Sequence, residues 1–292
     1  MPVTATELAF RARRRARLEA TLGYGAVVLV LLLVSAGMAE FYPQSLIEGM
    51  PRVGEYFYKL LPTLKSGAVF ADAKTEGSLA FWMYRLDAWA WLLFETSQIA
   101  ALATVFGASL AALACFPAAA NLAPNRVVYL VCRRTLELFR TVPDIVYALI
   151  LVWAFGVGPL AGILAIALHT VGALGKLFAE VVENADMRPW EGVRAAGGSW
   201  AQAVRFAILP QVAPNFLSYV LLRFEFNVRG ATVIGFVGAG GIGQELYTVI
   251  SRNYYEEIGA IILLIVLTVT AIDLVSERLR FWAIGGVAEG RA

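Results

Sequence analysis

The chain has 292 residues, 59% of them hydrophobic and 16% charged, and its mean hydropathy is +0.69. A water-soluble domain is nearer half apolar and a quarter charged, so this surplus of apolar surface calls for a solvent other than water. The net charge of +2 is too mild, and its basic residues too close to apolar runs, for a nucleic-acid-binding protein.

From the N-terminus, Arg11, Arg13, Arg14, Arg15 and Arg17 precede an apolar run from Leu22 to Ala39. A bilayer core about 30 Å thick takes roughly 20 helical residues to cross. The run exceeds the apolar part of a signal peptide, and Ser35 to Ala39 gives only a weak cleavage signal, so residues 22–39 are expected to form an uncleaved first span. The arginines of segment 1–21 then stay in the cytoplasm. Residues 40–88 mix acids, bases and aromatics and cannot span; they are expected as an external insertion whose amphipathic portion, Val53 to Leu61, lies at the outer membrane interface.

Trp91 to Phe116 reads as a second span. Arg126, Arg133, Arg134 and Arg140, against Glu137 alone, place the next connection inside. Thr141 to Phe155 is expected as the third span, Gly156-Val157-Gly158-Pro159 as an outside turn, and Leu160 to Leu177 as the fourth span. Phe178 to Val212 is then cytoplasmic, Asn215 to Phe236 forms a fifth span and Ile258 to Leu274 a sixth, with a cytoplasmic tail at 281–292. The runs are continuously apolar rather than alternating, which excludes a membrane β-barrel. The expected fold is all-α: a polytopic bundle of six spans with both ends inside. The pattern does not repeat within the chain, so a two-fold pore requires a second copy. Cys115 and Cys132 fall in or beside apolar runs and read as small core residues rather than a disulfide.

The cytoplasmic loop before the fifth span carries the clearest local signals. Pro189 suits the first turn of a short helix, which Gly197 ends in a left-handed cap. Ser199 with Gln202 makes a capping box for a second helix, which Pro210 is expected to terminate. Trp190, Val193 and Ala196 share one face, and Trp200 and Phe206 are available as anchors. Such a hairpin of small residues can seat in a cleft of a soluble partner; the plainer reading is an interfacial loop helix.

Glu191, Gly197 and Leu209-Pro210 stand where the coupling motif of ABC importer permeases has its glutamate, glycine and leucine-proline, and the loop resembles that motif despite Gly192, Val193 and Ala207. The resemblance implies a type I ABC importer permease fold over 89–280, in the cytoplasmic (inner) membrane of a bacterium. It further implies that the coupling loop, 186–210, docks on a cytoplasmic ATPase through Glu191, Gly192, Arg194, Ala196, Gly197, Gly198, Ser199 and Pro210. The complex would hold two permease copies, two ATPases and one external binding protein within lipid. ATP and Mg would bind the ATPases and no cofactor this chain, which has no Walker-type glycine-lysine loop. A secondary anion carrier has no reason to present such a loop, and no catalytic constellation marks an enzyme.

The C-terminal half is similar to phosphonate permeases in particular, through Leu138 to Asp144, Leu168 to Gly172, Leu174 to Phe178, Glu180 to Asn184, Arg223 to Arg229 and Val237 to Gly243. Phosphite, hypophosphite and phosphate importers share this look. The cargo implied is a phosphonate or a related small phosphorus oxyanion.

Charges at membrane depth cost about 3 kcal/mol each. Glu225 and Arg229 have the favourable helical spacing for an ion pair, so the pair either holds the helix or leaves Arg229 or Arg223 to offset the charge of an anion in transit. His169, the sole histidine, lies beside Thr170. It is either a packing residue or, with Thr170 and Asn227, a hydrogen-bonding group for an oxyanion, and one histidine builds no metal site. Gly238-Ala239-Gly240-Gly241-Ile242-Gly243 matches a dinucleotide-binding pattern by letter, yet no strand precedes it. Gly238, Gly240, Gly241 and Gly243 are expected to form a close-packed turn near the external gate.

Overall fold

The computed structural model describes residues 5–289, which contain helices and turns and no strand. The chain divides into two units, residues 1–59 and 60–292. In the first, helix α1 (Ala5–Met38) runs unbroken through the basic segment into the apolar run, and its stretch Ala12–Met38 is long and apolar enough to cross a membrane. Helix α2 (Pro43–Leu60) starts ten residues earlier than the amphipathic portion expected from the sequence.

The second unit opens with a short turn of helix, α3 (Leu79–Trp82), whose Ser78 hydroxyl accepts from the Phe81 N–H. Three helices follow: α4 (Leu86–Ala118), α5 (Arg126–Thr141) and α6 (Asp144–Phe155). Beyond Thr141, which ends α5, the expected third span, Thr141 to Phe155, is helical only from Asp144 (α6), and α6 meets α5 at 85° across Val142-Pro143. Pro143 lacks an N–H and holds the residue before it out of the helical region, and Val142 is extended at φ −78°, ψ 122°. With 12 residues α6 is about 18 Å long, too short to cross alone.

Helix α7 (Pro159–Glu183) is the central element, packed against α4, α5, α6 and α10 (Leu209–Ile234). Small residues allow the close α4–α7 approach: a Cβ on Gly107 would lie 2.7 Å from Cβ of Thr170. At one end of the bundle Phe178 stacks on Phe216 with centroids 3.9 Å apart, in a core with Leu136, Leu174, Ile208 and Val212. At the other end Trp89, Ile242, Ile258 and Ile261 form a second core.

Between α7 and α10 lie α8 (Arg188–Ala195), α9 (Trp200–Ala203) and a π-helical turn, Val204–Ile208. Pro210 does not end a helix, contrary to the sequence expectation. The helical backbone runs from Trp200 through α10, and the wide turn, with the Leu209 N–H on the Val204 carbonyl, admits Pro210 into the first turn of α10. A 3₁₀ turn (Gly235–Val237) and helix α11 (Ile242–Ser251) lead to α12 (Tyr255–Glu289). Helix α12 carries on through the expected tail, of which residues 290–292 lie outside those described. Among the described residues, four helices, α1, α4, α7 and α12, are long and apolar enough to span, and up to six spans result if each bent pair, α5–α6 and α10–α11, is one.

Candidate functional site: an exposed hairpin and a buried polar cluster

The α8–α9 hairpin is held by its own backbone. The Gly198 N–H bonds the Val193 carbonyl at 3.0 Å and the Gly197 N–H bonds the Arg194 carbonyl at 3.1 Å, the paired bonds of a Schellman cap with Gly197 at φ +86°. Arg194 Nη1 donates to the Gly198 carbonyl at 2.8 Å. The Ser199 hydroxyl accepts from the Gln202 N–H and the Gln202 side chain accepts from the Ser199 N–H at 2.7 Å, a complete capping box. Glu191, Gly192, Arg194, Ala196, Gly197 and Ser199 are exposed. The apex is thus small, rigid and uncovered. Trp200 differs from expectation: its Nε1 donates to the Leu122 carbonyl at 2.9 Å and its ring meets Trp190 edge-on, so it anchors the hairpin to its own chain, while Phe206 stays exposed. Gln211 bonds the backbone N–H and carbonyl of Asp186, tying the base of the hairpin to α10.

A polar cluster lies where α4, α7 and α10 meet. Asn227 Nδ2 donates to Thr104 Oγ1 at 2.8 Å and Thr170 Oγ1 at 3.0 Å, all three buried. Arg223 Nη2 stands 2.7 Å from His169 Nδ1, and its Nε is 3.4 Å from Thr170 Oγ1. A guanidinium only donates, so Nδ1 accepts and the imidazole is the neutral Nε2–H tautomer. The structure therefore brings together His169, Thr170 and Asn227, which the sequence grouped, with Arg223, which it set beside Arg229, and adds Thr104.

It separates Glu225 and Arg229. Glu225 Oε1 takes Arg280 Nη2 of α12 at 2.5 Å, and Arg229 pairs with Asp273, also of α12. The expected pair along α10 is not formed, because α12 offers an opposite charge to each residue across the α10–α12 packing. Arg223 has no carboxylate within salt-bridge distance among the described residues. Asp144, the first residue of α6, is within electrostatic reach of Arg223 and His169, and its Oδ2 lies 3.3 Å from where a Cβ on Gly230 would stand. Sequence reasoning passed over Thr104, Asp144 and Asp273; the last two are carboxylates in or at the end of apolar runs, a signal that marks them.

The glycine turn closes on its neighbours. Gly238, Gly240 and Gly241 have φ of +90°, +84° and +71°. A Cβ on Gly243 would run into the Thr232 carbonyl oxygen, and the Ile242 N–H bonds Thr96 Oγ1 at 2.9 Å. The Gly158 N–H reaches the Gly238 carbonyl at 2.9 Å, joining this turn to the one before α7.

The phosphite transport system permease protein PtxC of Stutzerimonas stutzeri is 36% identical over 260 residues, covering 89% of this chain and 88% of that protein. The phosphate-import permease protein PhnE of Mycolicibacterium smegmatis is 32% identical over 248 residues, 85% of this chain and 43% of that protein. Among solved structures, the inward-facing MetNI methionine ABC transporter superposes with a TM-score of 0.57 at 18% identity, over 67% of this chain and 95% of that one, so the fold is that of an ABC importer permease. The sequence profile of that transport family matches residues 89–283, the stretch that holds the hairpin, the polar cluster and the glycine turn, and the chain belongs to the family of binding-protein-dependent transport system inner membrane components.

Proposed function

We propose that this chain is the translocation subunit of an ATP-driven importer of small phosphorus oxyanions, phosphonates first among them, and that Arg223 is the cation that meets the cargo. Four arginines sit on α10 and α12: Arg278 is exposed, and Arg223, Arg229 and Arg280 are the three whose side chains have named partners within the fold. Arg229 and Arg280 each have a carboxylate partner in contact, whereas Arg223 hydrogen-bonds only neutral acceptors and has Asp144 at longer electrostatic reach, so it is the one of the three with no carboxylate in contact and best able to meet an anion. This contrast carries the reading, and the relatives named for phosphite and phosphate transport support it. A desolvated oxyanion needs charge-assisted donors, which Arg223 supplies, with Asn227 and Thr170 as adjoining hydrogen-bonding groups.

Two copies of the chain work with two cytoplasmic ATPases, which hold ATP and Mg, and with an external binding protein that delivers cargo. Both termini lie in the cytoplasm, in keeping with the arginines at 13–17. The exposed hairpin from Glu191 to Gly198, with Ser199 and Pro210 behind it, meets the ATPase. Because the helical backbone runs from Trp200 into α10, a push on the hairpin moves the helix that carries Arg223. The Gly238–Gly243 turn lies at the external end and joins the gate.

The test is cargo-stimulated ATP hydrolysis in proteoliposomes holding this chain, its ATPase and its binding protein. Methylphosphonate is expected to stimulate. Stimulation by phosphite alone keeps the importer and replaces the cargo, an outcome that the likeness to a phosphite permease makes the second reading. No stimulation by any phosphorus oxyanion overturns the proposal.

A further inference from the structure

Helix α2 lies outside the residues that the family profile matches, and its pattern is sharply two-sided. At about 100° per residue, Leu46, Met50, Val53, Phe57 and Leu60 fall in one narrow stripe. Gln44, Glu48, Arg52, Glu55 and Lys59 fall on the opposite one. Leu46, Met50, Val53 and Phe57 are all exposed. The middle of the helix holds Gly49, Pro51 and Gly54, the two poorest helix-forming residue types, so 18 residues of this composition do not hold a helix in water unaided. A surface must cover the apolar stripe.

The two ends of α2 say which surface. Helix α1 is long and apolar enough to cross a membrane and ends at Met38. Pro43 follows within about 18 Å of extended chain, so α2 begins close to a membrane exit. At the other end Leu60 is buried, and a Cβ on Gly259 would run into its carbonyl oxygen. Gly259 lies in the second turn of α12, another spanning helix. One end of α2 thus follows a spanning helix along the chain, and its last residue, Leu60, packs against the start of another. The polar stripe is balanced, with Glu48 and Glu55 against Arg52 and Lys59, and Lys59 pairs with Glu55 at 2.8 Å.

We infer that α2 lies along the membrane surface, its apolar stripe seated in the lipid acyl boundary and its balanced polar stripe among the headgroups, with no requirement for anionic lipid. Tyr56 and Tyr58, one on each flank, sit at headgroup level, where amphipathic rings are favoured. Through Leu60 and Gly259 the helix links this lipid layer to the start of α12.

The test places single nitroxide labels along α2 of the full chain in phosphatidylcholine vesicles, after Cys115→Ala and Cys132→Ser replacement, and measures collision with oxygen and with a water-soluble nickel chelate. Leu46→Cys, Met50→Cys, Val53→Cys and Phe57→Cys labels are expected to meet oxygen and exclude nickel. Glu48→Cys, Arg52→Cys and Glu55→Cys labels should do the reverse, and added phosphatidylglycerol should change neither set. Nickel access along the apolar stripe would mean that the helix stands in water. Exclusion of both reagents there would mean that protein covers it, and a pattern seen only with phosphatidylglycerol would make anionic lipid the partner; each of these overturns the inference.

Discussion

The Glu225 carboxylate of α10 and the Arg280 guanidinium of α12 meet at 2.5 Å, with only 10% of the glutamate side chain exposed. One turn further along α10, Arg229 takes Asp273, so the two antiparallel helices are joined by two charge pairs of opposite sense. Removing one partner of a buried pair strands the other charge at a cost of about 3–5 kcal/mol, whereas replacing both with apolar residues of similar volume is often nearly neutral. Arg280→Met alone is expected to lower the thermal midpoint of the purified protein clearly, and Glu225→Met with Arg280→Met to restore most of it. Equal losses in the single and double variants would show that the two residues do not depend on each other.

Arg223 and Arg229 are six residues apart on one helix and separate by readout. Arg223→Gln removes the cation that lacks a carboxylate partner, and cargo-stimulated ATP hydrolysis is expected to fall tenfold or more, an effect of about 1.4 kcal/mol or larger, at unchanged thermal midpoint. Arg229→Gln strands Asp273 and is expected to lower the midpoint first. The reverse assignment in paired transport and melting measurements would move the cargo contact from Arg223 to Arg229.

Gly197 has open space where a Cβ would point but a left-handed φ of +86°. Gly197→Asn, a residue that tolerates this conformation, is expected to keep the hairpin and its ATPase docking. Gly197→Trp adds bulk at the exposed apex, and co-purification of the ATPase is expected to fail while membrane insertion persists. Normal co-purification and transport in the Trp variant would remove the hairpin from the ATPase interface.

The glycines that face backbone behave differently from those that face solvent. A Cβ on Gly172 would overlap the Arg140 backbone at the α5–α6 break, and one on Gly243 would overlap the Thr232 carbonyl. Gly172→Ala and Gly243→Ala are each expected to lower the yield of folded protein in gel filtration. Gly192→Ala meets nothing within 4 Å in the interior of α8, and is expected to be neutral or to stabilise by up to about 1 kcal/mol. Loss of folded protein in the Gly192 variant alone would contradict the packing described.

Helix existence was legible in the sequence because apolar runs of span length, the caps at Ser199 and Gly197 and the absence of strand alternation all act locally. The break at Val142-Pro143 was legible in principle, since proline restricts its predecessor, but the run of apolar residues on its far side suggested an unbroken span. Pro210 was misread because a proline within a helix is admitted by a wide turn, and no local pattern in Val204 to Ile208 announces one. The grouping of His169, Thr170 and Asn227 followed from polar residue types at depth, and the contact of Arg223 with them appears only once α7 and α10 pack. The partners of Glu225 and Arg229 did not, because i,i+4 spacing is visible along one helix while Asp273 and Arg280 come near only after α12 folds back.

The wide turn at Val204–Ile208 works as one surplus residue in an otherwise regular rod. Because five residues of a wide turn advance and rotate about as far as four residues of a regular helix, deleting a single residue within it would leave a regular helix of about the same length and phase between Trp200 and Arg223. The wide turn thus buffers the angular setting of the exposed hairpin relative to the polar cluster: a related chain could lose one amino acid there and keep that setting, whereas a deletion in the regular part of α10 before Arg223 would turn the hairpin by about 100°.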